Sequence, residues 1–384
     1  MKHMDFTKVR LGILGGGQLG KMLVSAASQW QIKTYILDPN LDGPASEICS
    51  RFVLGDFTDY ESVYDFGQRV DMLTIEIENV NVEALEDLQK EGKMVYPDPK
   101  VIKIIQDKGL QKQFFKEHGI PTTGFEIFKN KKEVLEAVRS GRLKSPFVQK
   151  LRTSGYDGRG VLVFDSNSNT SELLEDECIV EDFSDLKKEI AVIVARNKQG
   201  EMVHFTPVEM QFNPEANLVE YLLSPAEISE EISSRAIELA RKTTDAFDLV
   251  GVMAVEMFLD KNDQILVNEV APRPHNSGHH TIENCYTSQY EQMIRALYNF
   301  PFGSTKMIIP AVMVNILGEA GNKGPAKYHG LDEVLAMEGV NVYIYGKPNT
   351  RPFRKMGHIT VIDEDPKAAI AKARQIKNLL KVIS

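Results

Sequence analysis

The chain has 384 residues, more than one ordinary hydrophobic core accommodates, so two or three domains are expected. Its 54 acidic and 45 basic residues give a net charge of −9, which argues against a nucleic-acid-binding surface or a polybasic membrane anchor. Three widely spaced cysteines indicate neither a disulfide framework nor a zinc site, and no signal peptide or long apolar span is visible, so a cytoplasmic protein is expected.

The first hundred residues alternate short β-branched runs with helical segments. Strands are predicted at RLGIL, KTYILD, RFVLGD and MLTIEIE, and helices from Gln18 to about Gln29 and from Tyr60 to Gln68. This alternation predicts a parallel sheet wound with helices. The two prolines of VYPDPK, residues 95–100, break the pattern and predict a boundary near residue 100.

The chain beyond this boundary has a different pattern. Two helices, a strand-rich stretch and a longer helix are predicted at residues 108–118 and 131–140, 146–208, and 229–247. The strand-rich stretch is typical of an antiparallel α+β region. A second boundary is predicted around Phe300, and the chain ends with a helix over Pro366 to Leu380.

The segment LGILGGGQLGKML, residues 11–23, matches the pattern G-x-G-x-x-G at Gly15, Gly17 and Gly20, between a strand and a helix. An anion at a helix N-terminus needs only exposed N–H groups and the helix dipole. The turn therefore fits the pyrophosphate of NAD, and it equally fits a phosphate group of a different ligand. Asp38 ends the second strand, where a dinucleotide enzyme binds ribose, and we interpret it instead as a strand-end cap.

Two carboxylates are predicted to face each other on a hairpin. If residues 262–263 form a two-residue loop, Phe258 faces Val267 and Glu256 faces Glu269. Like charges in this position destabilise a sheet, so a cation between them is expected. Mg²⁺ prefers oxygen ligands and usually binds substrate phosphates as well. The alternatives are two solvated side chains or a slipped register.

A glycine-rich loop interrupts two predicted strands in VQKLRTSGYDGRGVLVF, residues 148–164. The N–H groups of such a loop approach phosphate oxygens closely, and Lys150 supplies positive charge. The loop could also close over a ligand. The alternative is an ordinary hairpin turn. Together with a magnesium site, the loop indicates a nucleoside triphosphate.

Four cations cluster in YGKPNTRPFRKMGHITV, residues 345–361: Lys347, Arg351, Arg354 and Lys355. Pro348 and Pro352 constrain the backbone of this loop. One interpretation is a clamp for a second phosphate. The other is a solvated basic loop.

These motifs together resemble a known family. GGGQLG (15–20), KLRTSGYDGRG (150–160), NEVAPRPHNSGH (268–279) and GKPNTRPFRKMGH (346–358) are similar to segments of the 5-(carboxyamino)imidazole ribonucleotide synthases, ATP-grasp enzymes of de novo purine synthesis. The resemblance spans residues 11–361. It implies an α/β and α+β chain with an ATP-grasp fold: an N-terminal Rossmann-like preATP-grasp domain (1–106), a central ATP-grasp domain (107–300, with a lid subdomain at about 145–208) and a small C-terminal domain (301–384).

The resemblance implies a nucleotide site. Lys108 and Lys150 would reach ATP phosphates, Glu189 the ribose hydroxyls, and residues 181–183 adenine through their backbone. Lys108 stands where arginine is common, so the charge is kept but the bidentate fork is lost. The implied nucleotide-binding residues are Lys108, Lys150, Gly155, Tyr156, Gly158, Arg159, Gly160, Glu181, Asp182, Phe183, Glu189, Asn268 and Glu269. Glu256 and Glu269 would hold Mg²⁺, or Mn²⁺.

The resemblance also implies that the glycine turn binds aminoimidazole ribonucleotide rather than NAD. The implied contacts are Gln18, Leu19 and Glu76 near the ribose, with Glu78 as a weaker candidate, and Lys347, Arg354 and Lys355 at the 5′-phosphate. Arg273, His275 and Asn276 would face the carboxylate being formed, although a buried structural role is the alternative for His275. Asp157 would accept the amine proton, with phosphate as the rival base.

The implied activity is that of a ligase that forms a C–N bond. ATP would phosphorylate bicarbonate, and carboxyphosphate would release CO₂ in a closed site, where the exocyclic amine captures it. A homodimer is usual in the resembled family. One alternative is a formate-dependent ATP-grasp enzyme acting on glycinamide ribonucleotide. A remote one is an NAD-dependent oxidoreductase, which leaves the carboxylate pair and the basic loop without a role.

Overall fold

A computed structural model of the chain describes residues 5–153, 160–213 and 218–384. Within these ranges, no helix combines the length and the apolar character that a membrane crossing requires. Five sequence-predicted site residues lie outside the described residues: Gly155, Tyr156, Asp157, Gly158 and Arg159. Their roles stay predictions.

The N-terminal region is a parallel sheet wound with helices, as the sequence predicts. Its elements are β1 Arg10–Leu14, α1 Gln18–Ser28, β2 Lys33–Asp38, β3 Arg51–Leu54, α2 Tyr60–Gln68, β4 Met72–Ile75, α3 Val82–Lys90, β5 Met94–Val95 and α4 Pro99–Ile105. The strand order is β3-β2-β1-β4-β5. Because the order reverses at β1, the loops that follow β1 and β4 lie at the topological switch point, where parallel sheets bind ligands.

The prolines of VYPDPK do not interrupt the helical structure at residue 100. Pro99 is the first residue of α4, and the Asp98 side chain caps this helix by accepting a hydrogen bond from the Lys100 N–H. A proline is well tolerated at this position because its missing N–H would have no partner inside the helix. The two prolines therefore mark a helix start.

A small antiparallel sheet follows. The elements of this part are α5 Lys108–Glu117, β6 Phe125–Phe128, α6 Lys131–Arg139, β7 Phe147–Leu151, β8 Val161–Phe164 and β9 Cys178–Asp182. The strand order is β6-β9-β7-β8. β9 is thus a central strand, paired on both sides.

The rest of the chain is built on a second, larger antiparallel sheet. The elements of this part of the chain are β10 Leu186–Arg196, β11 Met202–His204, β12 Val208–Asn213, β13 Leu218–Ser224, α7 Glu230–Ala246, β14 Gly251–Asp260, β15 Ile265–Ala271, α8 Thr281–Asn284, α9 Gln289–Tyr298, β16 Ala311–Leu317, β17 Gly324–Pro325, β18 Lys327–His329, α10 Leu331–Leu335, β19 Val340–Ile344, β20 Asn349–Thr350, β21 Lys355–Ile362, α11 Pro366–Leu379 and β22 Lys381–Ile383. β17 pairs with β20 and β18 pairs with β22, outside the large sheet. The strand order is β15-β14-β10-β12-β13-β16-β21-β19, and β11 pairs with β10. The sheet therefore continues through the predicted boundary at Phe300.

The predicted lid, residues 145–208, does not coincide with the small sheet. β6 belongs to the small sheet although it precedes residue 145, and β10 belongs to the large sheet. β10 is paired with β14 from Leu186 to Arg196 and is buried along its second half, from Ile190 onward. A strand that is apolar on both faces needs the centre of a covered sheet, which the small sheet does not provide.

One hydrophobic core joins the N-terminal, central and C-terminal regions. It includes Leu23 of α1, Met293 of α9, Ala254 of β14 and Tyr345 in the basic loop. Lys21 of α1 also donates a hydrogen bond to the Ile344 carbonyl oxygen at 3.1 Å. The cleft that these regions form is therefore lined by elements packed on a common core.

The basic loop is attached to the end of β16 through a close backbone approach at Gly318. The Gly318 N–H donates to the Arg354 carbonyl oxygen at 2.9 Å, and the Phe353 N–H donates to the Gly318 carbonyl oxygen at 2.8 Å. A Cβ atom at position 318 would lie 2.2 Å from the Arg351 carbonyl oxygen. Backbone cannot move aside as a flexible side chain can, so this contact requires glycine.

We therefore expect Gly318→Ala to lower the free energy of unfolding by about 1–3 kcal/mol through overpacking. The measurement is urea unfolding, in which the midpoint should fall while the slope stays near that of the unmodified chain. An unchanged midpoint would contradict the close approach.

Candidate active site

The glycine turn after β1 encloses a carboxylate. Glu76, directly after β4, accepts a hydrogen bond from the Gly20 N–H at 2.7 Å. A Cβ atom at Gly15, Gly17 or Gly20 would come within 2.4–2.8 Å of the Glu76 side chain, so the close approach of this side chain requires all three glycines. Because Glu76 already supplies a negative charge at the N-terminus of α1, the turn is poorly suited to a dinucleotide pyrophosphate.

The charge of Glu76 depends on its surroundings. Burial raises the pKa of Glu76 to about 7, against the opposing effect of the positive charges of Arg273 and Lys347. These three side chains come from the N-terminal, central and C-terminal regions. The structure therefore brings together three of the residues that the sequence assigned to the ribonucleotide and to the new carboxylate.

The neighbouring residues of the glycine turn have different exposures. Gln18 begins α1 and is partly exposed, whereas Leu19 is only 7% exposed, so a role of Leu19 in binding would have to use its backbone. Asp38 accepts hydrogen bonds from the Gly16 N–H at 2.7 Å and the Asn40 N–H at 2.8 Å. Its interpretation as a strand-end cap is confirmed.

The hairpin of β14 and β15 places Glu256 directly opposite Glu269, as predicted. The predicted loop was wrong by one residue, since Phe258 pairs with Leu266 and not with Val267. A bulge between Glu256 and Met257 restores the pairing, and it leaves Asn268 as the additional residue on β15. The alternative of a slipped register therefore holds near the turn but not at the two glutamates.

The two glutamates have different environments. The Glu256 side chain is 14% exposed, while that of Glu269 is 45% exposed and lies 2.9 Å from the Lys108 ammonium. The positive charge of Lys108 lowers the pKa of Glu269, whereas burial and the charge of Glu269 raise the pKa of Glu256. The pair presents carboxylate oxygens only, which fits a hard divalent cation such as Mg²⁺.

A buried ion-pair cluster lies beside the carboxylate pair. Lys150 of β7 has its Nζ 2.9 Å from Glu181 Oε2 and 2.9 Å from Asn268 Oδ1. Glu181 is 2% exposed, and its other oxygen lies 3.0 Å from Lys112 Nζ. The small sheet and the large sheet thus meet through charged side chains at this point, and the Glu181 side chain is directed into the protein.

The end of β9 contributes to the same cleft. The Asp182 N–H donates to the Gly124 carbonyl oxygen at 2.9 Å, and the Phe183 side chain is half exposed. On β10, Glu189 lies within the electrostatic influence of Lys150 and Glu269, and burial raises the pKa of Glu189 to about 7. Glu189 is therefore close to Lys150 and to Glu269, whereas the adenine contacts of residues 181–183 stay a prediction.

The segment after β15 is held by specific partners. Arg273 forms an ion pair with Glu78 at 2.8 Å. The Asn276 amide exchanges two hydrogen bonds with Asn315 at 2.9 and 3.0 Å. His275 Nδ1 lies 2.9 Å from the Ser277 hydroxyl and 3.6 Å from Glu256. The segment therefore runs from the carboxylate pair to the glycine turn.

The basic loop faces both ends of this segment. Lys347 donates to the Lys355 carbonyl oxygen at 2.7 Å, and Arg354 donates to the Asn349 carbonyl oxygen at 2.5 Å. The charge of Lys347 acts on Glu76, while that of Lys355 acts on Glu256. Lys347 and Lys355 therefore lie near carboxylates of the glycine turn and of the hairpin, while the phosphate role of all three clamp residues stays a prediction.

Sequence reasoning missed one residue of this site and gave too little weight to another. Lys112 was not singled out, although it follows Lys108 by four residues, and this spacing places both lysines on one face of a helix. Glu78, the weaker candidate, is the partner of Arg273. No pattern within the glutamate-rich segment TIEIENV distinguishes its two glutamates.

Three family models match consecutive parts of the chain. The ribonucleotide synthetase preATP-grasp domain matches residues 8–106, the ATP-grasp domain residues 113–290, and the phosphoribosylaminoimidazole carboxylase C-terminal domain residues 311–372. The predicted fold class is thereby confirmed. The residues that match the C-terminal domain include the basic loop.

Curated relatives carry related names. The chain is 37% identical to N5-carboxyaminoimidazole ribonucleotide synthase of Bacillus subtilis, and the match covers 94% of each protein. It is 40% identical to the chloroplastic phosphoribosylaminoimidazole carboxylase of Vigna aconitifolia, over 92% of this chain. The chain spans 64% of the length of the Vigna protein and 36% of a bifunctional purine synthesis protein of Dictyostelium discoideum.

Solved structures show the same fold. N5-carboxyaminoimidazole ribonucleotide synthetase of Thermotoga maritima is 41% identical, with a TM-score of 0.90 and 98% and 99% of the two chains covered. The Aspergillus clavatus enzyme, in complex with ADP and 5-aminoimidazole ribonucleotide, is 31% identical, with a TM-score of 0.89 and 97% and 98% covered. The chain therefore belongs to the N5-carboxyaminoimidazole ribonucleotide synthase family of ATP-grasp enzymes.

Proposed function

We propose that the chain catalyses the ATP- and bicarbonate-dependent carboxylation of 5-aminoimidazole ribonucleotide to 5-(carboxyamino)imidazole ribonucleotide, in purine biosynthesis. The observation that carries this proposal is the position of Glu256 and Glu269 between two sets of cations. Lys108 and Lys150 lie on the side of the small sheet, and the basic loop lies on the other. One carboxylate pair thus adjoins sites for two phosphate-bearing ligands.

ATP binds between the small and large sheets in this proposal. Lys108 and Lys150 donate to its phosphates, and Gly160 contributes a further contact. Glu189 accepts the ribose hydroxyls, and the backbone of residues 181–183 binds adenine. The Asp182 N–H already has a partner in Gly124, so its neighbours supply the remaining backbone contacts.

Glu256 and Glu269, with Asn268 beside them, would hold Mg²⁺ or Mn²⁺. When bound, the cation supplies charge neutralisation for the transferred phosphoryl group. Without a cation, burial and the charge of Glu269 raise the pKa of the Glu256 carboxyl and disfavour its ionised form. The pair is therefore better matched to a positive ligand than to an empty site.

The ribonucleotide binds against the glycine turn. Its 5′-phosphate is held by Lys347, Arg354 and Lys355, and its ribose by Gln18, the Leu19 backbone and Glu76. This assignment uses the side of the cleft opposite the nucleotide. It is supported by the similar Aspergillus clavatus enzyme, whose structure is a complex with both ADP and 5-aminoimidazole ribonucleotide.

The chemistry proceeds in two stages. A bicarbonate oxygen attacks the γ-phosphorus, the bond to ADP breaks, and carboxyphosphate forms. Carboxyphosphate then breaks down to phosphate and CO₂, the exocyclic amine attacks the CO₂ carbon, and the nitrogen loses a proton to Asp157 or to the phosphate. Arg273, His275 and Asn276 orient the new carboxylate. Water must be excluded while carboxyphosphate exists. The homodimer and the cytoplasmic location stay predictions.

An ADP-release assay tests the substrates. We expect ADP formation to require both 5-aminoimidazole ribonucleotide and bicarbonate for full rate, with a product that carries one additional carboxyl group by mass spectrometry. The parallel reaction contains glycinamide ribonucleotide and formate. Activity with this second pair alone would replace the proposal with the formate-dependent alternative.

Removing the charge of Glu269 should abolish efficient turnover while preserving the fold. We expect Glu269→Gln to lower kcat by roughly a hundredfold or more. Gln would hold the cation less well, so the positive charge beside the transferred phosphoryl group would be lost. Glu238→Gln, on the exposed face of α7, is the matched control and should behave like the unmodified enzyme. Near-normal ADP release by Glu269→Gln would remove Glu269 from the metal site.

Nucleotide binding should depend on pH through Glu189. The pKa of about 7 means that Glu189 is mostly protonated at pH 6 and mostly ionised at pH 8. Since the ionised form accepts the ribose hydroxyls, ADP affinity should rise by up to about tenfold over this range. Titration calorimetry should show a smaller rise for Glu189→Gln. Parallel pH profiles of the two proteins would contradict the ribose role.

A further inference from the structure

We propose that Lys112 is a positioning residue that neutralises Glu181 and thereby leaves Lys150 able to donate to the phosphates of the nucleotide. This inference rests on the proposed nucleotide site. It assigns a role to a lysine that has no direct access to the cleft. The argument depends on three side chains, Lys112, Glu181 and Lys150, which we call the buried triad.

The ammonium group of Lys112 has a complete set of internal partners. Its Nζ lies 3.0 Å from Glu181 Oε1, 2.6 Å from Thr122 Oγ1 and 3.0 Å from Thr123 Oγ1. Two of its three N–H donors are used by the threonine hydroxyls, and the Glu181 oxygen forms an ion pair with the ammonium. The Lys112 side chain is 3% exposed. Lys112 therefore cannot turn toward a ligand without breaking buried contacts.

Lys150 stands at the border between this interior and the cleft. It shares the Glu181 carboxylate with Lys112, and it reaches Asn268, which is next to Glu269. Its side chain is more exposed than those of Lys112 and Glu181. Of the two lysines that contact Glu181, only Lys150 is placed to contact phosphate.

The charge balance of the buried triad determines how strongly Glu181 holds the Lys150 ammonium. Two lysines and one glutamate give a net charge of +1, so an incoming phosphate finds an uncompensated positive charge. Without Lys112, Glu181 would have Lys150 as its only cation within the triad. Because a buried carboxylate without a partner is strongly unfavourable, Glu181 would then hold Lys150 away from the phosphate.

Lys112 is also connected to the opposite wall of the cleft. Thr122, which accepts a hydrogen bond from Lys112, donates its own hydroxyl to the Val267 carbonyl oxygen at 2.7 Å. Val267 directly precedes Asn268, the other partner of Lys150. Lys112 thus contacts Glu181, one partner of Lys150, directly, and it is linked through Thr122 to the residue before Asn268, the other partner; this geometry favours a positioning role over a purely local one.

The test is titration calorimetry of the full chain with ADP and MgCl₂. We expect Lys112→Met to weaken ADP binding on the order of tenfold or more. The proposed adenine contacts of residues 181–183 use the backbone, so Glu181→Gln keeps them. Adding it to Lys112→Met restores the net charge of +1, and the double variant should recover most of the ADP affinity that Lys112→Met loses. Lys116→Met, which removes an exposed lysine one turn further along α5, is the matched control and should bind ADP normally.

Each outcome has a distinct meaning. If the unmodified protein does not bind ADP, the proposed nucleotide site fails. If it binds ADP and Lys112→Met binds equally well, the inference about Lys112 is wrong while the nucleotide site stands. If both Lys112→Met and the double variant bind weakly, Lys112 acts through packing and the inference is also wrong. Should Lys112→Met not fold, Lys112→Gln, which removes the charge but keeps a polar side chain, replaces it and should also weaken ADP binding on the order of tenfold; unchanged binding by that variant would overturn the inference.

Discussion

The repulsion between two carboxylates on one hairpin is the constraint around which the site is built. Glu256 and Glu269 are held opposite each other by ladder pairing, so they cannot separate without breaking the sheet. Lys108 offsets one of the two charges, and burial suppresses ionisation of the other. A further positive charge would allow both carboxyls to ionise together. Two carboxylates fixed at this distance by the sheet therefore favour the binding of a cation between them.

The continuity of the large sheet explains how residues far apart in sequence reach that hairpin. β13 pairs with β16, so the strands that follow residue 300 extend the sheet that carries Glu256 and Glu269. The basic loop, between β19 and β21, is therefore anchored to the same sheet as the carboxylates it faces. On the other side, the shared core of α1 and α9 fixes the glycine turn and Glu76 against this sheet. The glycine turn, the hairpin and the basic loop are thus held by one sheet and its core.

The register of the hairpin shows how a correct prediction can rest on an incomplete reason. The loop has one residue more than predicted, with Asp263 at a φ of 58°, and this shifts every pair next to the turn. The bulge that leaves Asn268 unpaired reverses the shift before the chain reaches Glu269. A one-residue error in a strand normally turns each side chain to the other face. Neither the longer loop nor the bulge has a sequence signal strong enough to be read alone, so their cancellation was not predictable.

Local sequence determined most elements of this protein, because hydrophobic period, glycine turns and proline positions act over a few residues. The parallel N-terminal sheet, α5, α7, α11 and the cluster of four cations follow from such patterns, and the motif order indicates the family. Only the tertiary structure decided that β10 lies in the large sheet, that Arg273 pairs with Glu78, and that Glu181 is shared by Lys112 and Lys150. These contacts join residues separated by 31 to 195 positions, and no short-range pattern encodes which distant charge a buried side chain will meet.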